Sequence, residues 1–230
     1  MVKVIGGRLC MIAVALAGVF ALAQKADAAW VLQWGAHMNE RSGTVMNDFV
    51  ANRDGQHEGV GLGVLGPAGE GTAYRFDGTT SAAWRSAAGL ASPGTRSVRV
   101  SVWVKPQGLP TSASPEPDIV KRGYSASSPG LYKVEYLSNG RASCGFKGTI
   151  AGVGHVTGGP SLNDGRWHRI MCTKTSMGIT LSVDGVVRAS HAGNVGSINM
   201  PNDDLVIGAY RRSSPNFRGD IDEVRIEYFN

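Results

Sequence analysis

From Trp30 onward the chain alternates. In VRVSVWVK, Val98, Val100, Val102 and Val104 fall on one side and Arg99, Ser101, Trp103 and Lys105 on the other, a period of two that predicts a strand with one buried face. ITLSVDGVV repeats the pattern through Ile179, Leu181 and Val183 and ends in Asp184-Gly185. Both of those residues tolerate a positive φ, so the pair predicts a tight hairpin into the next strand. LYKVEYL, DLVIGAY and DEVRIEYF are further strand candidates. Stretches with a helical repeat are few, and many strands without intervening helices pack as two antiparallel sheets, face to face.

The 32 glycines support many short strands, because glycine supplies the turns between them. QGLPTSASPEPD, Gln107 to Asp118, is the one Pro- and Ser-rich stretch and predicts a surface loop between two strands. GVGLGVLGPAGEG, Gly59 to Gly71, has the glycine content of a phosphate cradle without the Lys-Ser/Thr ending or the strand-to-helix context; it predicts a flexible connection. No internal repeat divides the chain, and roughly two hundred residues suit one all-β domain.

Lys3 and Arg8 precede an apolar run from Leu9 to Ala23, followed by Ala26-Asp27-Ala28 with small residues at the two positions a signal peptidase reads. Residues 1–28 are therefore expected to be a secretory signal, leaving residues 29–230 as one secreted domain with no membrane attachment. The run is short for a membrane span, and Cys10 lies in it well before its end, which argues against lipoprotein-type processing. Loss of Lys3, Arg8, Lys25 and Asp27 takes the formal charge from +5 to +3. The remaining bases are scattered singly, not gathered on one face as in a nucleic-acid binder.

AYRFDG, VSVWVKP, DIVKRG, NGRASCGF, DGRWHRIMCT, LSVDGVV, LVIGA and FRGDIDEVRIE follow one another along the chain. In that order, over Trp30 to Asn230, they resemble the laminin G-like (LamG-like) jelly-roll domains of the concanavalin A-like lectin and glucanase superfamily. The cysteine-bearing version is similar to that of bacterial secreted LamG-like proteins. The resemblance implies an all-β fold, a two-sheet antiparallel jelly-roll sandwich with one concave face, and leaves function open. It also implies one calcium ion: an acid opening the final strand is a ligand in relatives, which matches Asp222, and Asp77-Gly78 resembles the other half of such a site. Calcium takes six to eight oxygens, backbone carbonyls among them. The alternative is that both acids simply end turns.

Once the first 28 residues are removed, Cys144 and Cys172 are the only cysteines. Read as strands, Cys144 shares a face with Ala142 and Phe146, and Cys172 with His168 and Ile170, both toward the core. An even pair in an oxidising compartment predicts a disulfide, worth roughly 3–4 kcal/mol in the chain-entropy treatment. A bridged Cys172 supplies no thiolate for a Cys-His nucleophile, so His168 is expected to be structural. His37, His57, His155, His168 and His191 contain no HxxxH spacing, and there is no CxxC pair to seed a zinc site. Trp103 and Trp167 lie on the opposite parity from the core and are candidates for stacking on a sugar, or for half-buried packing.

Retaining glycoside hydrolysis needs two carboxylates about 5 Å apart, which the E-x-D-x-E pattern of laminarinase-type enzymes places on one strand. Glu116-Pro117-Asp118-Ile119-Val120 has valine where the last acid belongs, and DIDEVRIE, with Asp220, Asp222, Glu223 and Glu227, has valine at 224. A pair assembled from different strands stays open. Arg218-Gly219-Asp220 spells an adhesion tripeptide that a turn into the last strand explains equally. The expected function is a secreted, non-catalytic binding or adhesion module for a glycan or an extracellular protein. A glycan-active hydrolase and a purely structural secreted subunit are the alternatives.

Overall fold

The computed structural model describes residues 29–111, 116–124, 126–150, 154–211 and 216–230; the expected signal sequence lies outside them. Sixteen strands form among the described residues: β1 (Trp30–Ala36), β2 (Val45–Met46), β3 (Gly55–Glu58), β4 (Gly61–Leu65), β5 (Thr72–Asp77), β6 (Ala82–Arg85), β7 (Ser97–Pro106), β8 (Asp118–Arg122), β9 (Leu131–Tyr136), β10 (Ala142–Lys147), β11 (Gly154–Gly158), β12 (His168–Lys174), β13 (Gly178–Val183), β14 (Val186–Ala192), β15 (Leu205–Ile207) and β16 (Arg218–Phe229). They make two antiparallel sheets. The first runs β14-β13-β12-β7-β16-β5-β4, with β1 also paired to β16; the second runs β11-β10-β9-β8-β15-β6-β3-β2. This is the two-sheet sandwich that the alternation predicts.

The inner faces meet in one core. Val98, Val100, Val102 and Val104 of β7 are completely buried, as are Ile170, Leu181 and Ile221 of the same sheet and Val120, Val134 and Phe146 of the other. Asp184 and Gly185 adopt φ of 53° and 77° and turn β13 into β14, the hairpin expected of that pair. Cys144 of β10 and Cys172 of β12 are joined, with Cα atoms 5.6 Å apart, so the disulfide ties one sheet to the other through the core. Arg122, pointing inward from β8, donates to the carbonyls of Leu90, Ala91, Met200 and Asp203 at 2.8–3.0 Å. A buried guanidinium whose hydrogen bonds are met by backbone oxygens holds two distant loops against one strand.

The glycine-rich segment departs from its expectation as a flexible connection. Gly61–Leu65 is strand β4, paired with β5, and the Gly66 amide donates to the Gly71 carbonyl at 3.0 Å to close the turn between them. The glycines serve close packing here: a Cβ on Gly66 would stand 2.9 Å from Asp222 Oδ2.

Candidate functional site

The ladder registers sort the outward side chains of the second sheet into rows. Lys121 stands opposite both Lys133 and Val206, Lys133 opposite Gly145, Gly145 opposite His155, and Val206 opposite Trp84. A parallel row contains Asp118, Glu135, Ser143 and Thr157. Strict alternation would put Asp118 and Lys121 on opposite faces. The register shift between Asp118 and Val120 brings both outward and leaves Ile119 and Val120 together inside, as a bulge does.

These outward charges are shielded. Asp118, Lys121 and Glu135 are 2 %, 3 % and 4 % exposed. Lys121 Nζ donates to Asp118 Oδ2 at 3.1 Å, Lys133 pairs with Glu135, and His155 Nε2 lies 3.8 Å from Glu135. Gly145 makes room for this, since a Cβ there would stand 2.3 Å from His155 Nε2 and 2.9 Å from Lys133 Cε. Burial pushes the Asp118 carboxyl up to about 7, against the pull of Lys121, and Asp118 Oδ1 has no hydrogen-bond partner among the described residues. Burial and the Lys133 charge hold His155 below its usual range.

Aromatic rings close one end of the rows. Lys121 Nζ lies 3.5 Å from the Tyr210 ring centre and 4.9 Å from that of Tyr124. The two tyrosines meet edge to face at 5.8 Å. The Arg211 guanidinium lies 4.6 Å from the Tyr124 ring centre. Trp84 packs with Ala82, Val206 and Ala209 in a small apolar cluster of its own. The result is a recessed floor of fixed charges bordered by aromatic faces and an apolar patch.

The residues singled out in the sequence lie elsewhere. Trp103 is on the outer face of the first sheet, opposite Arg169 and Asp222, and Trp167 is half-buried just before β12. His168 is buried, as parity predicts, with Nδ1 2.8 Å from Asp184 and Nε2 2.9 Å from Asp164. Burial lowers its pKa, but the hydrogen bonds the ring donates to the two aspartates outweigh this and raise it overall. Asp220 of the Arg-Gly-Asp sequence is buried and accepts two hydrogen bonds from Arg75, at 2.7 and 2.9 Å, so the tripeptide is a strand start and not a displayed loop.

Asp77 and Asp222 are not brought together. Asp77 pairs with Arg218, four residues before Asp222 along β16, a separation of roughly 13 Å at the rise of a strand. Its carboxylate accepts from the amides of Thr79, Thr80 and Ser81. Burial raises the Asp77 pKa, and those hydrogen bonds override it to hold the group well below the carboxylate range. Gly78 has a φ of 81°, and this turn matches the turn-ending alternative. Asp222 differs: it is completely buried, its Oδ2 has no hydrogen-bond partner among the described residues, and burial, with Glu223, Glu70 and Glu40 nearby, pushes it up to about 8. Glu223 sits at a bulge with φ 51°. A hollow of about 250 Å³ lined by His37, Asn39, Glu40, Asn47 and Phe49 adjoins this corner. An orphaned carboxylate oxygen among acids suits a cation at Asp222, whereas Asp77 and Gly78 do not fit the same ion. Among the described residues no group of three or more His, Cys, Asp or Glu side chains is arranged to hold a metal.

Two antiparallel sheets with this topology define a concanavalin A-like β-sandwich. The Laminin_G_3 family model, described as the Concanavalin A-like lectin/glucanases superfamily, matches residues 76–228, and the chain belongs to that family. No curated protein sequence matches the chain. Among solved structures it is similar to domain 4 of AbnA, a GH43 extracellular arabinanase from Geobacillus stearothermophilus, in complex with arabinotriose. That match has 17 % identity over 87 % of this chain and 93 % of that one, with a TM-score of 0.61. The binding domain of Paraclostridial Mosquitocidal Protein 1 matches at 15 % identity over 86 % of this chain, TM-score 0.64. The botulinum neurotoxin serotype D ligand binding domain, in complex with N-acetylneuraminic acid, matches at 14 % over 85 %, TM-score 0.62. The chain spans about half of each toxin domain, 48 % and 47 %. At these identities the likeness is one of fold.

Proposed function

We propose that the protein is a secreted glycan-binding module whose ligand lies on the outer face of the second sheet. The observation that carries this reading is the shielded row of Asp118, Lys121, Lys133 and Glu135 bordered by Tyr124 and Tyr210. Fixed donors and acceptors beside aromatic faces suit a sugar, which offers hydroxyls on its edges and C–H groups on its faces. The arabinotriose and N-acetylneuraminic acid complexes of two structural neighbours support the class of ligand. A glycan array followed by calorimetry is the test. Glu135→Gln is expected to weaken binding about 10- to 100-fold, the worth of a hydrogen bond to a charged group, and Tyr210→Ala about 3- to 10-fold, the worth of an aromatic contact, while Glu227→Gln on the other sheet leaves it unchanged. Unchanged affinity in both site variants overturns the placement.

Binding without hydrolysis is supported by the lysine partners that Asp118 and Glu135 already have. The second reading is hydrolysis, favoured by one observation: Asp118 and Glu135 stand opposite each other on adjacent strands, with Asp118 pushed up to about 7, as a general acid requires. Release of reducing ends, abolished by Asp118→Asn or Glu135→Gln, would establish the second reading. We propose further that any calcium is held at Asp222, with backbone oxygens and without Asp77. Melting in calcium and in chelator tests it: at one hundred times its dissociation constant the ion adds about 2.7 kcal/mol, and Asp222→Ala abolishes the shift while Asp77→Ala keeps it. Export with cleavage before Ala29 is checked by the intact mass of the protein recovered from the medium.

A further inference from the structure

We infer that the ligand is an acidic sugar, one bearing a carboxylate, and that Arg211 at the rim of the second sheet's outer face receives that group. This rests on the glycan-binding reading above and names the class of glycan. Each acid of the floor has its own cation, Asp118 with Lys121 and Glu135 with Lys133. The two acids near the tyrosines are held by neutral donors: Asp203 Oδ1 accepts from the Ser128 hydroxyl at 2.7 Å, and Asp204 Oδ1 from the Ala87 amide at 2.9 Å. Arg211 is exposed and makes no ion pair among the described residues.

Its geometry matters as much as its charge. The guanidinium lies 4.6 Å from the Tyr124 ring centre and 5.7 Å from that of Tyr210. A guanidinium on aromatic faces keeps its N–H fork available, and that fork matches both oxygens of a carboxylate. The rings that hold Arg211 also cover Lys121, so a sugar docking along the exposed parts of the tyrosines brings its carboxylate to Arg211. A neutral sugar docks along the same tyrosines and leaves this cation without a partner.

Calorimetry with matched pairs tests it: trigalacturonate against galactotriose for a uronate, and 3′-sialyllactose against lactose for a sialate. At least one acidic member is expected to bind roughly tenfold or more tightly than its neutral counterpart, the worth of one charge-assisted hydrogen bond. Added salt should narrow the difference. Arg211→Ala should remove the preference for the acidic sugar over the neutral one; Arg211→Lys, which keeps the charge without the fork, should restore only part of the preference. Which pair responds identifies the source of the carboxylate. Equal binding of acidic and neutral members, or a preference that survives Arg211→Ala, overturns the inference and leaves glycan binding standing. No binding in any arm, together with an empty glycan array, overturns both.

Discussion

The outer faces of the two sheets use the same strand alternation and differ in how far their cations reach water. On the first sheet, Arg75 pairs with Asp220, Arg99 with Glu227 and Arg225 with Glu223, and the arginine side chains are 48 %, 26 % and 39 % exposed. On the second sheet the cations are lysines, Lys121 at 3 % and Lys133 at 15 % exposed. Pairs that reach water gain little from each other, because solvent and ions screen them. Shielded pairs carry a desolvation cost that apolar residues of the same size would avoid. Their presence is better explained by what that face meets than by stability, and this is why the second sheet is assigned the ligand.

The largest effect is expected from cutting the link between the sheets. Replacing both Cys144 and Cys172 by alanine should cost roughly 3–4 kcal/mol, a fall of about 6–16 °C in melting temperature for a chain of this size. Fluorescence melting and loss of sugar binding should follow one transition, because both faces rest on one core. Two separated transitions would show that the faces belong to independent units.

Breaking one pair on each face sharpens the contrast. Glu135→Ala leaves Lys133 without its partner in a shielded setting and should cost about 2–3 kcal/mol, somewhat below the value for a fully buried pair because Lys133 retains some access to water. Glu227→Ala, facing Arg99 on the first sheet, should cost less than about 1 kcal/mol. Urea titrations of both variants make the comparison, and equal losses would remove the distinction between the faces.

His168 is the intermediate case, a buried ring between two half-exposed aspartates. Its folded pKa is raised above the ordinary value of 6.5, so the charged ring contributes stability that is fully present below about pH 6.5 and lost as pH rises through the raised value. His168→Asn should therefore lower stability by about 1 kcal/mol near pH 5.5 and by less near pH 9, as read from urea midpoints. A deficit that grows with pH would reverse the assigned sign.

Between Trp30 and Asn230 much of the sandwich was legible in the sequence. The valine alternation in β7, the Asp184-Gly185 turn and the matching parity of Cys144 and Cys172 all depend on spacing within single strands, and the structure bears each of them out. Gly59 to Gly71 misled because glycine content reads as flexibility, whereas here it permits the approach of Gly66 to Asp222. The site was far less legible. Trp103 and Trp167 drew attention because tryptophan is the familiar sugar platform, yet Trp103 belongs to the other sheet. Lys121 escaped, and Asp118 entered only as part of an incomplete acid pattern, because the bulge at the start of β8 puts the two on one face against the alternation.

By itself the sequence determined which residues of most strands face inward, which cysteines pair and that the domain is an all-β sandwich. Each of those depends on a repeat of two residues or on a count. Only the tertiary structure decided that Asp77 and Asp222 stand apart, that Arg122 gathers carbonyls from two distant loops, and that Tyr124, Tyr210 and Arg211 close over Lys121. Alternation states that a side chain points outward. What covers it there depends on sheet order and loop path, and in this fold those bring together residues that share no local pattern.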